Sequence, residues 1–327
     1  MSQYIVKGRF APSPSGRMHL GNIFAALMSW FSAKSKGGVW LLRIEDLDSQ
    51  RCRMEYALQL EDDLRWIGLD WDEGGTENRG SNVCVGSYIQ SQRSDVYQHC
   101  LTVLSEKELT YPCYCTRSEI MATQAPHESD GRIVYKGTCR PKYISADGIR
   151  ADAFHCPKFS PDDNSTTRIF VPDREITFTD GHYGKQTVNL ARHCGDFVLR
   201  RRDGAWAYQL AVVVDDALMG VTEVVRGRDL LLSAAQQVYI FEMLDFQPPE
   251  FIHHPLICND RLQRLCKRDK SMDMGCIRER MRPEQVIGEL AFHAGIIDTP
   301  AEISLVEALQ EFSWNKVSKN DIILHEI

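Results

Sequence analysis

The sequence predicts an α/β fold in which ligands gather at the C-terminal ends of parallel strands. Three observations carry that expectation. Residues Tyr4–Phe10, a Pro/Gly loop from Pro12 to Gly16, an apolar helical run after Asn22 and the run Val39–Ile44 form a strand–loop–helix–strand unit, the pattern of a βαβ crossover. Apolar runs recur at Ala205–Val214 and Val221–Arg226, followed by a helical run at Leu230–Leu244. The chain has 327 residues with 43% apolar and 25% charged content. That is ordinary globular composition, enough for about two compact units with a sizeable core.

Taken in order, Tyr4–Phe10 is the first strand, and Pro12, Pro14 and Gly16 tighten the turn after it. Asn22 is the expected N-cap of a helix carrying Ile23, Phe24, Leu27, Met28, Trp30 and Phe31. That helix is apolar nearly all round, so it is expected to be buried. Gly37-Gly38 ends it, and Val39–Ile44 is the next strand, leading into Glu45-Asp46-Leu47-Asp48. A second helix places Met54, Ala57, Leu58, Leu64 and Ile67 on one face and stops at Gly68. Residues 74–86 read as a loop and Val96–Leu104 as a further helix. From Tyr111 to Arg140 cysteines and prolines replace periodic runs, and Tyr143–Thr167 reads as an irregular insertion. Regular structure resumes at Arg168. Ala205–Val214 is expected to be a buried strand ending at Asp215-Asp216. Val221–Arg226 follows as a strand and Leu230–Leu244 as a helix; the last seventy residues read as mainly helical.

A net charge of −7 argues against a chain coated by nucleic acid. Such a partner would have to meet a local basic patch: Arg200-Arg201-Arg202, or the cluster Arg261, Arg264, Lys267, Arg268 and Lys270. The N-terminus has no apolar signal region, and no segment approaches the roughly 20 apolar residues of a membrane span. The expectation is a cytoplasmic monomer with no membrane partner. Eleven cysteines, an odd number spread along the chain, fit core residues or metal ligands better than disulfides.

Four segments carry chemistry. In His19-Leu-Gly21-Asn22, a glycine at a helix N-terminus lets backbone approach a phosphate, and His19 can donate to a phosphate oxygen. In Arg43-Ile-Glu45-Asp46, Glu45 stands at a strand end where a carboxylate can hold an ammonium group. Cys113 and Cys115 can both reach one Zn²⁺, with Cys139 as the nearest third thiolate. Tyr135, His127, His155 and Cys156 remain open as the fourth ligand, and residue chemistry alone favours histidine or cysteine. The basic stretch Arg264–Ser271 can close over a triphosphate and neutralise pyrophosphate. Taken singly, each has a plainer structural reading: a capped core helix, a strand end, buried cysteines, a solvated basic loop.

Together and in this order, the segments resemble class I aminoacyl-tRNA synthetases of the glutamyl type. Arg9-Phe-Ala11-Pro-Ser13-Pro-Ser-Gly with His19-Leu-Gly21-Asn22 looks like that family's glutamate loop and its His-Ile-Gly-His signature. Arg43-Ile-Glu45-Asp46 matches the next motif, and Leu265-Cys266-Lys267-Arg268 stands at the Lys-Met-Ser-Lys-Ser-type loop. Trp206–Asp216 and Val224-Val-Arg226-Gly-Arg-Asp resemble blocks around the amino-acid pocket. Asn22, Arg264 and Cys266 depart from the family pattern, whereas Lys267 keeps its second lysine. Roughly fifty-five residues follow the basic loop, where the full-length enzymes carry a longer anticodon-binding domain. With Cys-x-Cys and Tyr-x-x-x-Cys, the chain is similar to the shorter glutamyl-queuosine tRNA(Asp) synthetase family.

That resemblance implies a Rossmann-like class I synthetase catalytic domain with an inserted zinc-binding subdomain and a short helical C-terminal part. The expected divisions are 1–110 and 195–255 for the two catalytic halves, 111–194 for the insertion, and 256–327 for the basic loop and C-terminal region. It implies ATP-dependent, tRNA-independent activation of L-glutamate, with Mg²⁺ accompanying ATP, and transfer to queuosine at the wobble position of tRNA(Asp). The alternatives are charging of the tRNA 3′ end or a non-catalytic tRNA- or protein-binding role. On the family's pattern Arg9, Ala11, Ser13, Glu45, Tyr208 and Arg226 hold glutamate, while His19, Gly21, Asn22 and Lys267 face ATP. His19 and Lys267 are the expected catalytic residues. One structural zinc is held by Cys113, Cys115, Tyr135 and Cys139.

Overall fold

The computed structural model describes residues 5–80, 85–122, 134–141, 144–145, 148–149, 164–259 and 272–324. Strand β1 (Lys7–Phe10), helix α1 (Leu20–Ser35) and strand β2 (Val39–Leu42) form the expected βαβ unit, with Lys7–Phe10 in parallel register against Val39–Leu42. Helix α2 (Met54–Trp66) leads to the short β3 (Glu73–Gly74), parallel to β2. Helix α3 (Ser94–Glu106) leads to β4 (Thr110–Cys113) and α4 (Arg117–Ala122). Of the segment Tyr143–Thr167, the described parts are a small hairpin, β5 (Ile144–Ser145) with β6 (Gly148–Ile149), and the approach to β7 (Thr166–Ile169). Next come the hairpin β8 (Glu175–Asp180) and β9 (Gly184–Asn189), α5 (Leu190–His193) and β10 (Phe197–Arg200). Helix α6 (Tyr208–Leu218), β11 (Glu223–Gly227), α7 (Leu231–Met243) and β12 (Glu250–His254) complete the main sheet. Strand β13 (Ile257–Cys258), helices α8 (Met274–Arg280), α9 (Pro283–Ala294) and α10 (Leu305–Glu311), and strand β14 (Ile322–Ile323) follow.

The main sheet has seven strands in the order β3-β2-β1-β11-β12-β8-β9. Every neighbouring pair is parallel except β8–β9. The order reverses between β1 and β11, so the crevice outside their C-terminal ends is where a doubly wound sheet takes its ligand. Alternate residues separate two cores: Trp40, Leu42, Val225 and Ile252 face one buried cluster, and Leu41, Val224 and Phe251 the other. A second sheet, β10-β7-β4, is antiparallel and carries Cys113 at its edge.

Two expectations about helices fail, each because of tertiary packing. The run Ala205–Val214 is not a strand; Tyr208–Leu218 is helix α6, with Leu210 through Asp216 all buried. It packs between α3 and α7, and a helix enclosed on all sides has no polar stripe to reveal its period. In α2 the buried face is Ala57, Leu60, Glu61, Asp63 and Leu64, while Met54 and Leu58 are exposed. The acids are inside because they are partnered. Asp63 Oδ1 accepts from Arg17 at 3.1 Å and from Arg278 at 2.8 Å, and Glu61 accepts from Thr76.

Candidate active site

A cleft of about 460 Å³ opens at the switch point. Arg9 enters it from the end of β1, Ala11 and Ser13 from the following loop, and Arg226 from the end of β11. Glu45, Tyr208, His19 and Asn22 also line it. Gly21 lines a smaller adjoining cavity with His19 and Asn22. The structure therefore brings together every expected cleft residue that it describes; Lys267 and its basic loop lie outside the described residues.

The cleft floor is a buried charge network. Arg43, fully enclosed, donates to Asp216 Oδ1 at 2.6 Å and to Glu45 Oε1 at 3.1 Å. Asp216 Oδ1 also lies 3.5 Å from Arg9 Nε. Asp215 beside it accepts from Arg93 at 2.7 Å, from Gln90 at 2.7 Å and from the Tyr97 hydroxyl at 2.9 Å. Burial by itself lowers the Arg43 pKa, but Asp216, Glu45 and Asp215 reverse that and raise it. Burial pushes the Glu45 carboxyl above the usual range against the pull of Arg43 and Arg9, so an arriving ammonium would hold it ionised. Arg226 differs from Arg9 and Arg43. Among the described residues it has no carboxylate within ion-pair distance, and burial, with Arg9 nearby, lowers its pKa. A cleft with a buried guanidinium lacking a counter-charge is built for an anionic ligand.

His19, not Asn22, is the N-cap of α1. Its Nδ1 accepts from the Gly21 amide at 3.1 Å, while Asn22 Oδ1 accepts from the His19 amide at 3.1 Å, a reciprocal capping box. Because Nδ1 is an acceptor, the neutral ring carries its proton on Nε2, which is the donor a phosphate oxygen needs. Gly21 makes room for this ring: a Cβ there would lie 3.1 Å from it. Downstream of the basic loop, Asp273 pairs with His19 in an antiparallel bridge and the Met274 amide donates to Met18. The loop's return thus starts from the phosphate-type turn.

The comparisons with known proteins agree with this geometry. The catalytic-domain profile of class I tRNA synthetases (E and Q) matches residues 5–321. Glutamyl-Q tRNA(Asp) synthetase of Nitratidesulfovibrio vulgaris is 42% identical over 295 residues, covering 90% of this chain and 87% of the relative. That of Symbiobacterium thermophilum is 41% identical over 319 residues, covering 96% and 94%. The chain belongs to the class I tRNA synthetases, among the glutamyl-Q tRNA(Asp) synthetases. A glutamate tRNA ligase from Elizabethkingia meningosepticum, solved with its amino acid, aligns with a TM-score of 0.78 and 28% identity over 98% of this chain and 67% of the other. The chain is accordingly a ligase with a glutamate–tRNA-ligase-like activity, and among the described residues no helix is long and apolar enough to cross a membrane.

In this class I synthetase a second cluster stands on the three-stranded sheet. The Sγ atoms of Cys113, Cys115 and Cys139 lie within 4.8 Å of one another. Cys115 and Cys139 are 3.5 Å apart, and the Tyr135 hydroxyl lies 3.4 Å from Cys113 Sγ. Ligands about 2.3 Å from a tetrahedral ion sit a little under 4 Å from each other, so the set fits one metal ion. Tyr135 is fixed for this place: the Cys139 amide donates to its hydroxyl at 2.7 Å, and Arg168 stacks 3.8 Å from its ring centre. His127, His155 and Cys156, the other fourth-ligand candidates, lie outside the described residues.

Sequence reasoning gave no individual role to Asp216, Arg93, Gln237, His253 or Asp180, all buried and none of them lining the cleft itself. The signals were present as polar residues inside apolar runs, Asp215-Asp216 and His253-His254, but a run alone does not say which partner satisfies them.

Proposed function

We propose that this chain activates L-glutamate with ATP in the absence of tRNA and transfers it to the queuosine base at the wobble position of tRNA(Asp). The observation that carries the reading is the pair of cleft arginines, with Arg226 lacking a carboxylate partner among the described residues, lining with Glu45 one space of about 460 Å³. Glutamate has two carboxylates and one ammonium, the complement of that arrangement. Arg9 meets the side-chain carboxylate, Arg226 provides further carboxylate contact, and Glu45 with Tyr208 holds the ammonium. The loop backbone at Ala11 and Ser13 shapes the amino-acid side of the cleft.

One α-carboxylate oxygen attacks the α-phosphorus of ATP in line. The bond to the β-phosphate oxygen breaks and pyrophosphate leaves, with Mg²⁺ accompanying the nucleotide. No covalent enzyme intermediate is needed; positioning and charge stabilisation supply the rate. His19 Nε2–H and the α1 N-terminus around Gly21 and Asn22 stabilise charge on the phosphate, and Lys267 neutralises the leaving group. A hydroxyl of queuosine then attacks the adenylate carbonyl carbon, and AMP departs. The names of the relatives support this acceptor.

Zinc fits Cys113, Cys115, Cys139 and Tyr135 as a structural ion: bound, it would tie β4 to the segment around Tyr135 and hold the thiols as thiolates. Glutamate-dependent ATP–pyrophosphate exchange without tRNA tests the first half of the reading. Labelled glutamate offered to tRNA(Asp) with and without queuosine tests the second. Labelling only of the queuosine-bearing tRNA is expected; labelling that ignores queuosine, or that requires an intact 3′ end, overturns the proposed acceptor.

A further inference from the structure

Behind Arg226 lies a buried chain of polar groups that reaches away from the cleft. Strand register sets Arg226 of β11 directly beside His253 of β12, and β8 on the far side of β12 ends at Asp180. Arg226 Nε lies 3.1 Å from His253 Nε2, and His253 Nδ1 lies 2.5 Å from Asp180 Oδ2. Exposure is 5% at Arg226, 0% at His253 and 1% at Asp180. Asp180 is itself anchored: Oδ1 accepts from the His182 amide at 3.0 Å and the Tyr183 amide at 2.8 Å, and Oδ2 from the His253 amide at 3.1 Å.

The Arg226 contact decides the arrangement, although the Leu230 carbonyl also draws on a ring proton. Arginine Nε can only donate, so His253 Nε2 must accept. The neutral ring then carries its proton on Nδ1, where the Asp180 carboxylate receives it. An imidazolium, or the other neutral tautomer, would set N–H against N–H at Arg226. Three of the other four Arg226 N–H groups have acceptors, Gln237 Oε1 at 2.8 Å, the Leu230 carbonyl at 3.3 Å and the Tyr208 hydroxyl at 3.4 Å, which leaves one Nη2 hydrogen for a ligand. His253 is the contact that fixes the Nε edge of the guanidinium.

We infer that Asp180 and His253 are positioning residues: the carboxylate selects the Nδ1–H tautomer, and the accepting Nε2 holds the Arg226 guanidinium at the angle that meets a substrate carboxylate. The inference rests on the reading that Arg226 binds glutamate. A role in joining β8 to β12 would need the Nδ1 proton but not an accepting Nε2.

Two substitutions separate these roles. His253→Asn keeps an N–H for Asp180 near the Nδ1 position but removes the acceptor for Arg226. His253→Gln carries an amide oxygen to the Nε2 position. Both lose the imidazole packing, and a merely structural role, which depends on the Asp180 bond, would make His253→Gln the worse of the two. His253→Asn is expected to raise the KM for glutamate in pyrophosphate exchange roughly tenfold to a hundredfold, the effect of one buried donor left unpaired, with the KM for ATP unchanged. His253→Gln should recover most of that loss. Nitrogen NMR of the wild-type ring should show protonated Nδ1 and bare Nε2. An Nε2–H tautomer, or equal glutamate KM values for His253→Asn and the wild type, overturns the positioning role. If the wild type shows no exchange, or Arg226→Ala keeps the wild-type KM, the glutamate reading itself fails. An active wild type, an impaired Arg226→Ala and a normal His253→Asn overturn the positioning pair alone.

Discussion

At the switch point Arg9, Arg43 and Arg93 are buried with Glu45, Asp215 and Asp216, so the charges of that network cancel. On the three-stranded sheet three thiols and a phenol converge. They are all acids, and each would repel the others on ionising. Burial, reinforced by Cys139, pushes the Cys115 thiol up to about 11; a bound cation inverts that preference. The cleft floor is therefore organised before its ligand arrives, because its buried charges, Arg226 apart, already have partners. In the cysteine cluster, burial works against a Cys139 thiolate, but hydrogen bonds from the Tyr114 backbone, Cys115, Tyr135 and Cys113 lower the thiol pKa, so one thiolate is provided for and further ones call for a cation. Substitution should damage the first through unpaired charge and the second through loss of an ion.

The largest effect should come from Asp216, which serves two arginines. Asp216→Ala should cost about 3–5 kcal/mol of stability, the range for breaking a buried ion pair from one side, read from denaturant midpoints. A loss under 1 kcal/mol would mean the network is not the cleft's foundation. Next comes Arg9→Ala, expected to remove roughly 2–5 kcal/mol of transition-state binding, measured as kcat/KM for glutamate in exchange. Chelation or Cys113→Ser should lower the melting temperature by several degrees. Amide exchange should rise in β4, β7 and β10 while the glutamate KM holds. A wild type that purifies metal-free and fully folded would erase the contrast between the two regions. Gly21→Ala should be milder, about 1 kcal/mol, the scale of a lost helix cap, because the new Cβ meets the His19 ring; the KM for ATP should rise.

The smallest expected effect is on pH dependence. Burial lowers the His253 pKa, and Arg226 adds to this, against the pull of Asp180; burial lowers that of His182 as well. An unfolded histidine takes up a proton near 6.5, whereas the folded ring resists it. Stability contributed by these rings is complete above that pH and declines as pH falls below it. His253→Gln should flatten the slope in urea titrations between pH 7 and 5; an unchanged slope would assign the decline to other groups.

Much of the cleft was legible because its pieces are short and local. A strand, a Pro/Gly turn, His19-Leu-Gly21-Asn22 and a second strand fix their own geometry through backbone sterics and capping. Cys113 ends β4 and Cys115 lies two residues beyond it. The sequence alone determined that βαβ unit, the placement of Arg9, His19 and Glu45 at its ligand end, and a thiol pair ready for a metal. It marked the start of the helix but took Asn22 as its cap, where the structure has His19. Only the tertiary structure decided that Tyr208–Leu218 is a helix, that Asp63 and Glu61 face inward, and that Asp216 and His253 stand behind the two arginines. Burial on every side erases the polar stripe that marks a helix. Buried charge is satisfied by whatever the fold brings within about 3 Å, at any distance along the chain.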